Sequence, residues 1–193
     1  MKLDIKPATP DVASHIASLI MEAMSTNCCQ NLAGPHHNLA DFHRVISKLV
    51  KMDDSQYSYK NTLVGMTSSG ILAGVVVAYD GADLKRLRKR FINEALVEFG
   101  IDYSGMDAET GEGEFYIDSL AVSSNFRGKK FATRLLLAAI ERAKELGHSK
   151  VGLLVDKGNP LAEKLYANLG FQYVNDTVWG GHAMKHLQLI IND

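Results

Sequence analysis

The sequence predicts a single α/β (α+β) domain over residues 1–193, a mixed central sheet wrapped by helices. Three observations lead there. Segments of period-two apolar alternation and segments of helical spacing follow one another along the chain. No linker, internal repeat or low-complexity tract divides them. A chain of 193 residues, 46% hydrophobic and 22% charged, can bury one sizeable core.

The elements follow in order. Leu3-Asp4-Ile5-Lys6 alternates like an edge strand and is stopped by Pro7, and Thr9-Pro10-Asp11 has the N-cap and first-turn chemistry of a helix through Met24. Asn27 to Asn38 reads as loop, with Gly34-Pro35 as a turn signal. Asp41 to Met52 returns to helical spacing through Phe42, Val45, Ile46 and Leu49. Asn61–Thr67 and Ile71–Tyr79, joined by Ser68-Ser69-Gly70, form a β-hairpin. Asp83 is placed to cap the next helix, whose buried face is Leu84, Leu87, Phe91, Ile92, Ala95, Leu96 and Phe99. The basic run Lys85–Arg90 is expected to be its solvated face. Glu114–Val122 is a strand, and Ser149–Asp156 is an uninterrupted apolar one. Between them a helix runs through Leu137. After them Asn159 is a good N-cap, Pro160 suits the first helical position and Gly170 the left-handed C′ position, with Leu161, Leu165 and Leu169 as an apolar stripe. Weak strands close the chain, the last including His182–Gln188.

Composition excludes several classes. A formal net charge of -1 argues against bulk nucleic-acid binding. The only cysteines, Cys28 and Cys29, are adjacent, so there is no disulfide framework and a reducing compartment is the natural setting. Met1–Pro7 lacks the apolar region of a signal peptide, and no apolar run approaches a membrane span, so the expectation is a soluble cytoplasmic protein with no membrane partner. His36, His37 and His43 do not make a metal site by spacing alone, and no metal is expected.

The most informative stretch is Leu120–Leu137, where an apolar strand enters a short basic turn and then an amphipathic helix. The first turn of a helix carries backbone N–H groups without intrahelical partners and roughly half a positive charge, so this order of elements makes an anion cradle. Arg127, Lys129 and Lys130 add formal charge around it.

Arg127-Gly128-Lys129-Lys130-Phe131-Ala132 resembles the Arg/Gln-x-x-Gly-x-Gly/Ala pyrophosphate loop of the GNAT N-acetyltransferase superfamily, with Lys130 standing at the family's glycine. Downstream, Asn159–Phe171 is similar to the family's second signature, an Asn followed by a helix carrying Ala and Tyr and closed by Gly-Phe. The close match covers Glu114 to about Phe171.

The resemblance implies a largely antiparallel mixed sheet in which the strand ending at Val122 and the strand at Lys150–Val155 splay apart to admit acetyl-CoA as acyl donor. It implies that the backbone N–H groups from Lys129 to Thr133, with Arg127 and Gly128, hold the pyrophosphate. Leu120, Ala121 and Val122 would pair with the pantetheine arm, and Asn159 and Tyr166 would flank the donor. The implied chemistry is direct attack of a neutral amine on the thioester carbonyl. Tyr166 is assigned as the acid beside the sulfur, and Val122 N–H as the oxyanion donor. Glu114, Tyr116 and Asp118 alternate and so point to one face, leaving Asp118, or Glu114 through a water, as the base.

The expected acceptor is a small-molecule or peptide amine. Homodimerisation is left open. Asp102–Glu114, with Asp107, Glu109, Glu112 and Glu114, is either a surface loop or an attractor for a cationic amine, and Trp179 and His182 either line the acceptor pocket or pack. A non-catalytic acyl-CoA-binding module is the alternative reading. A nucleotide phosphate loop is disfavoured, because Arg127–Lys130 lacks the upstream glycine and the following Ser/Thr.

Overall fold

A computed structural model describes residues 2–191. Seven strands, β1 (Leu3–Pro7), β2 (Thr62–Thr67), β3 (Leu72–Asp80), β4 (Phe115–Val122), β5 (Lys150–Asp156), β6 (Gln172–Trp179) and β7 (His182–Ile190), form one sheet in the order β1-β2-β3-β4-β5-β7-β6. Every neighbouring pair is antiparallel except β4 and β5, which are parallel and joined by a crossover helix. The helices are α1 (Ala13–Met24), α2 (Thr26–Ala33), α3 (Leu39–Lys51), α4 (Leu84–Phe99), α5 (Phe131–Glu145) and α6 (Pro160–Asn168).

Helices cover both faces of the sheet. On one face α1, α3 and α4 pack Ile16, Ile20, Phe42, Ile46 and Phe91 over Val64, Val75 and Val77. On the other, α5 packs Leu135, Leu136 and Ala139 over Val76, Ile117, Val151 and Leu153. β5 reads as a continuous apolar run because it lies between β4 and β7 with both faces covered.

Four local expectations are corrected. Asn27–Asn38 is not all loop: Thr26–Ala33 is helical, started by the Ser25 side chain, which accepts from Cys28 N–H. Thr, Asn and Cys are poor helix formers, but burial of Cys28, Cys29 and Ala33 outweighs their propensity. Asn38 belongs to the next helix, forming a reciprocal capping box with Asp41. Asp83 makes no side-chain cap. Instead Asp80 accepts from Ala82 N–H in the preceding turn, and Asp83 pairs with Arg86. Two apolar positions assigned to buried stripes lie open, Leu96 at 51% exposed and Leu161 at 81%, because nothing packs over the outer side of α4 or the start of α6. Arg88, assigned to a solvated face, is buried.

Candidate active site

A gap opens in the sheet between β4 and β5. The two strands pair only at Phe115↔Val151, Tyr116↔Gly152 and Ile117↔Leu153, and then diverge. A bulge in β4 marks the parting. Val77 and Ala78 of β3 pair with Ser119 and Ile117, so Asp118 is the extra residue, and a bulge bends its strand and re-aims the side chain it carries. The gap widens into a cleft of ≈ 670 Å³, walled by the end of β4, the end of β5 and α6. Ser123 N–H donates to Ala73 O on β3, so by strand alternation the N–H of Val122 points the other way, into the gap.

One end of the cleft is built from main chain. The first intrahelical bond of α5 runs from Arg134 N–H to Lys130 O, which leaves the amides of Phe131, Ala132 and Thr133 without intrahelical acceptors. Gly128 (φ 75°) and Lys130 (φ 59°) are both left-handed, so Lys130 takes the conformation a glycine would take. The Phe131 side chain anchors the helix start, buried with Leu3 and Ala73 and stacked on Phe126, and so contributes only its amide to the turn. Arg127 donates to Val122 O at 3.1 Å and reaches Glu22 at 3.4 Å. Of the residues singled out from sequence, Leu120, Ala121, Val122, Arg127, Ala132, Asn159 and Tyr166 line the cleft. Gly128, Lys129, Lys130, Phe131 and Thr133 lie outside its lining. Lys129 is turned back onto Asn125 O and the Phe126 ring.

Tyr166 stands in the wall formed by α6, its ring edge-on to Phe171 at 5.9 Å. Burial pushes its hydroxyl up to about 12, so it keeps its proton through the neutral range. Opposite, Asp118 accepts from Tyr79 (2.8 Å), Gln56 (3.2 Å) and Ser119 (2.9 Å). Burial pushes the Asp118 carboxyl above the usual range, while the Tyr79, Ser119 and Gln56 hydrogen bonds and the charge of Arg88 pull against it.

Glu114 is not brought to the cleft. It lies in a side cavity of ≈ 280 Å³, accepting from Thr110 (2.6 Å) and Gln188 (2.7 Å), with His186 Nε2 at 2.9 Å. A Cβ at Gly152 would collide with its carboxylate, so the glycine gives the carboxylate its room. Burial alone would raise its pKa, but the bonds from His186, Thr110 and Gln188 outweigh it and hold the group low. Such a carboxylate is fully engaged and a poor base.

Sequence reasoning missed a buried ion pair. Arg88 Nη2 lies 2.7 Å from Glu109 Oε1 with side chains 6% and 7% exposed, and Nη1 donates to Asp107 O at 2.7 Å. Glu109 lines the cleft near Asp118. Burial and then the Asp118 charge push Glu109 up to about 8 against the pull of Arg88. A signal existed: Arg88 is four residues after Leu84 and three before Phe91, on the buried stripe itself. Trp179 and His182 also line the cleft, with Trp179 Nε1 buried and without a hydrogen-bond partner among the described residues, and His182 Nδ1 3.5 Å from Asp156 Oδ2. Among the described residues no group of three or more His, Cys, Asp or Glu is placed to hold a metal. Among the described residues no helix is long and apolar enough to cross a membrane.

The acetyltransferase (GNAT) family model matches residues 52–171. The structure is similar to the crystal structure of an acetyltransferase, with 28% identity, a TM-score of 0.81 and 98% and 100% of the two chains covered. It is also similar to an N-acetyltransferase from Staphylococcus aureus Mu50, at 24% identity and TM-score 0.79 over 96% and 100% of the chains. A third likeness, at 17% identity and TM-score 0.60 over 100% of both chains, is to a chain of the NatC complex bound to Gag peptide and CoA. No curated protein sequence matches the chain.

Proposed function

The chain belongs to the acetyltransferase (GNAT) family, and on that premise we propose that it is an acetyl-CoA-dependent N-acetyltransferase acting on a primary amine of a small molecule or peptide by direct attack, both substrates being bound together. The observation that carries this reading is the parted β4–β5 pair with Tyr166 on one wall and Asp118 on the other.

The residues fit the donor. Splaying leaves the β5 side of β4 beyond Ile117 without a strand partner, and such backbone groups call for a polar ligand. Leu120, Ala121 and Val122 meet the amide-bearing arm there. The amides of Lys129 to Thr133, with Arg127 and Gly128, hold the pyrophosphate, and Asn159 and Tyr166 flank the donor from α6. The left-handed Lys130 supports the same geometry as the family's glycine.

Acetyl-CoA supplies a thioester carbonyl as electrophile. Asp118, its carboxyl raised by burial and held by three donors, takes the proton of the incoming ammonium. Val122 N–H is aimed to meet charge developing on the carbonyl oxygen. Tyr166, protonated at neutral pH, donates to the departing sulfur. Glu114 has no direct part.

The test is thiol release from acetyl-CoA across a panel of amines, preceded by thermal shifts with acetyl-CoA, free coenzyme A and ATP. Stabilisation by both coenzyme A forms but not ATP, with amine-dependent thiol release, is expected. Stabilisation without release for any amine leaves an acyl-CoA-binding module, and stabilisation by ATP alone rejects the reading.

A further inference from the structure

The end of the cleft away from α5 is closed by groups from three elements. Tyr57 comes from the loop before β2, Glu109 from the loop before β4, and Tyr116 and Asp118 from β4, with Arg88 of α4 paired behind Glu109. With Glu109 ionised its charges would not balance, and Glu109 keeps a proton that makes up the difference. Glu109 has Arg88 as partner, whereas Asp118 is met only by neutral donors from Tyr79, Gln56 and Ser119. The Arg88 guanidinium is occupied by Glu109 and Asp107 O, and Arg127 is tied down at the opposite end by Val122 O and Glu22. Two carboxyl groups therefore share one buried cation.

A second observation points to a ligand. Tyr57 and Tyr116 are 4% and 3% exposed, and both line the cleft. Neither hydroxyl has a hydrogen-bond partner among the described residues. The side chains are buried and their hydroxyls open onto the cleft, so these are positioned for a guest that brings donors. The rings add electron-rich faces around the same space, with Tyr79 and Tyr116 6.0 Å apart.

Resting on the acetyl-transfer reading, we propose that this closed end is a subsite for the ammonium of a small primary amine whose amine-bearing carbon carries no carboxylate, with Glu109 as the specificity-determining residue. An ammonium there brings three donors and one positive charge. The Glu109 and Asp118 carboxyl groups and the two tyrosine hydroxyls accept them, and the ammonium's charge replaces the proton that Glu109 otherwise keeps. An α-carboxylate would be desolvated beside Glu109 and Asp118 with no uncommitted cation to receive it, so free α-amino acids are excluded.

The experiment uses the full chain with coenzyme A bound and compares matched pairs: phenethylamine with phenylalanine, tyramine with tyrosine, and isobutylamine with valine. Calorimetric binding to the coenzyme A complex is read first, and kcat/KM for thiol release from acetyl-CoA, in place of coenzyme A, second. In at least one pair the amine should bind more than 10-fold tighter than its amino acid, and phenylalaninamide, which lacks the negative charge, should behave like the amines. Glu109→Gln should weaken amine binding about 10-fold with coenzyme A affinity unchanged. Tyr57→Phe, which keeps the ion pair and so the fold, should weaken it severalfold. Equal or tighter binding of the amino acids, or binding of none of the amines, overturns the proposal. Amine binding with no acetyl transfer would instead overturn the acetyl-transfer reading and leave the subsite standing.

Discussion

At the α5 end of the cleft the groups proposed to hold the donor are consecutive main-chain amides, residues 129 to 133, presented by one turn and one helix start. At the closed end the groups proposed to receive the amine are side chains, Tyr57, Glu109, Tyr116 and Asp118, with Arg88 behind Glu109, gathered from elements up to 61 residues apart in sequence. The amide end is rigid by construction, since any residue with the right backbone dihedral serves, and even Lys130 stands where the family pattern has glycine. The closed end depends on side-chain identity, because its charge balance changes with one substitution. On the acetyl-transfer reading, that division of labour lets the acceptor vary while the donor site stays the same.

The sharpest way to break the contrast is at its buried ion pair. Arg88→Ala leaves Glu109 buried without its cation and should cost about 3–5 kcal/mol of stability. Arg86→Ala, two residues earlier on the same helix, removes an exposed pair and should cost roughly 0–1 kcal/mol. Denaturant melts of both variants measure the difference, and equal losses would mean that the closed end is not dry. Next in size, Tyr166→Phe should lower kcat by about 10²-fold while acetyl-CoA affinity stays within about twofold. Turnover unchanged in steady-state assays removes it as the acid.

Protonation offers a third test. Glu109 is pushed from its ordinary 4.5 up to about 8 in the folded chain, by burial first and Asp118 second. The native state thus holds a proton that the unfolded chain has shed. The associated stability is complete below about pH 4.5 and is lost as pH rises through about 8. Melting temperature should fall between pH 5 and pH 8, and Glu109→Gln should flatten that fall. The smallest effect belongs to the amide end. Lys130→Gly relieves a left-handed lysine worth about 1–2 kcal/mol but frees the unfolded chain, so stability should change by less than about 1 kcal/mol and coenzyme A affinity only modestly. A large loss in either, read by melting and titration, would show that the Lys130 ammonium itself holds the donor.

The amide end is legible in the sequence because its information is local: strand, turn and helix start are contiguous, and capping follows from neighbouring residue types. The Asn159 cap and the left-handed Gly170 are legible for the same reason. α2 is not, since its polar composition hides that Cys28 and Cys29 face the core. Nor is the bulge at Asp118, which exists only in the register against β3. Glu114 reads as a base from alternation alone, and alternation says nothing of the His186 and Gln188 that β7 brings to it.

By itself the sequence determined the element order apart from α2, the mixed sheet and the strand, turn and helix start around Arg127, since periodicity and capping act over a few residues. The tertiary structure alone decided which carboxylates face the cleft, which is buried against Arg88 and which is engaged by neutral donors. Burial and Coulomb interaction depend on distance in space, and residues remote in sequence become neighbours only when the chain folds.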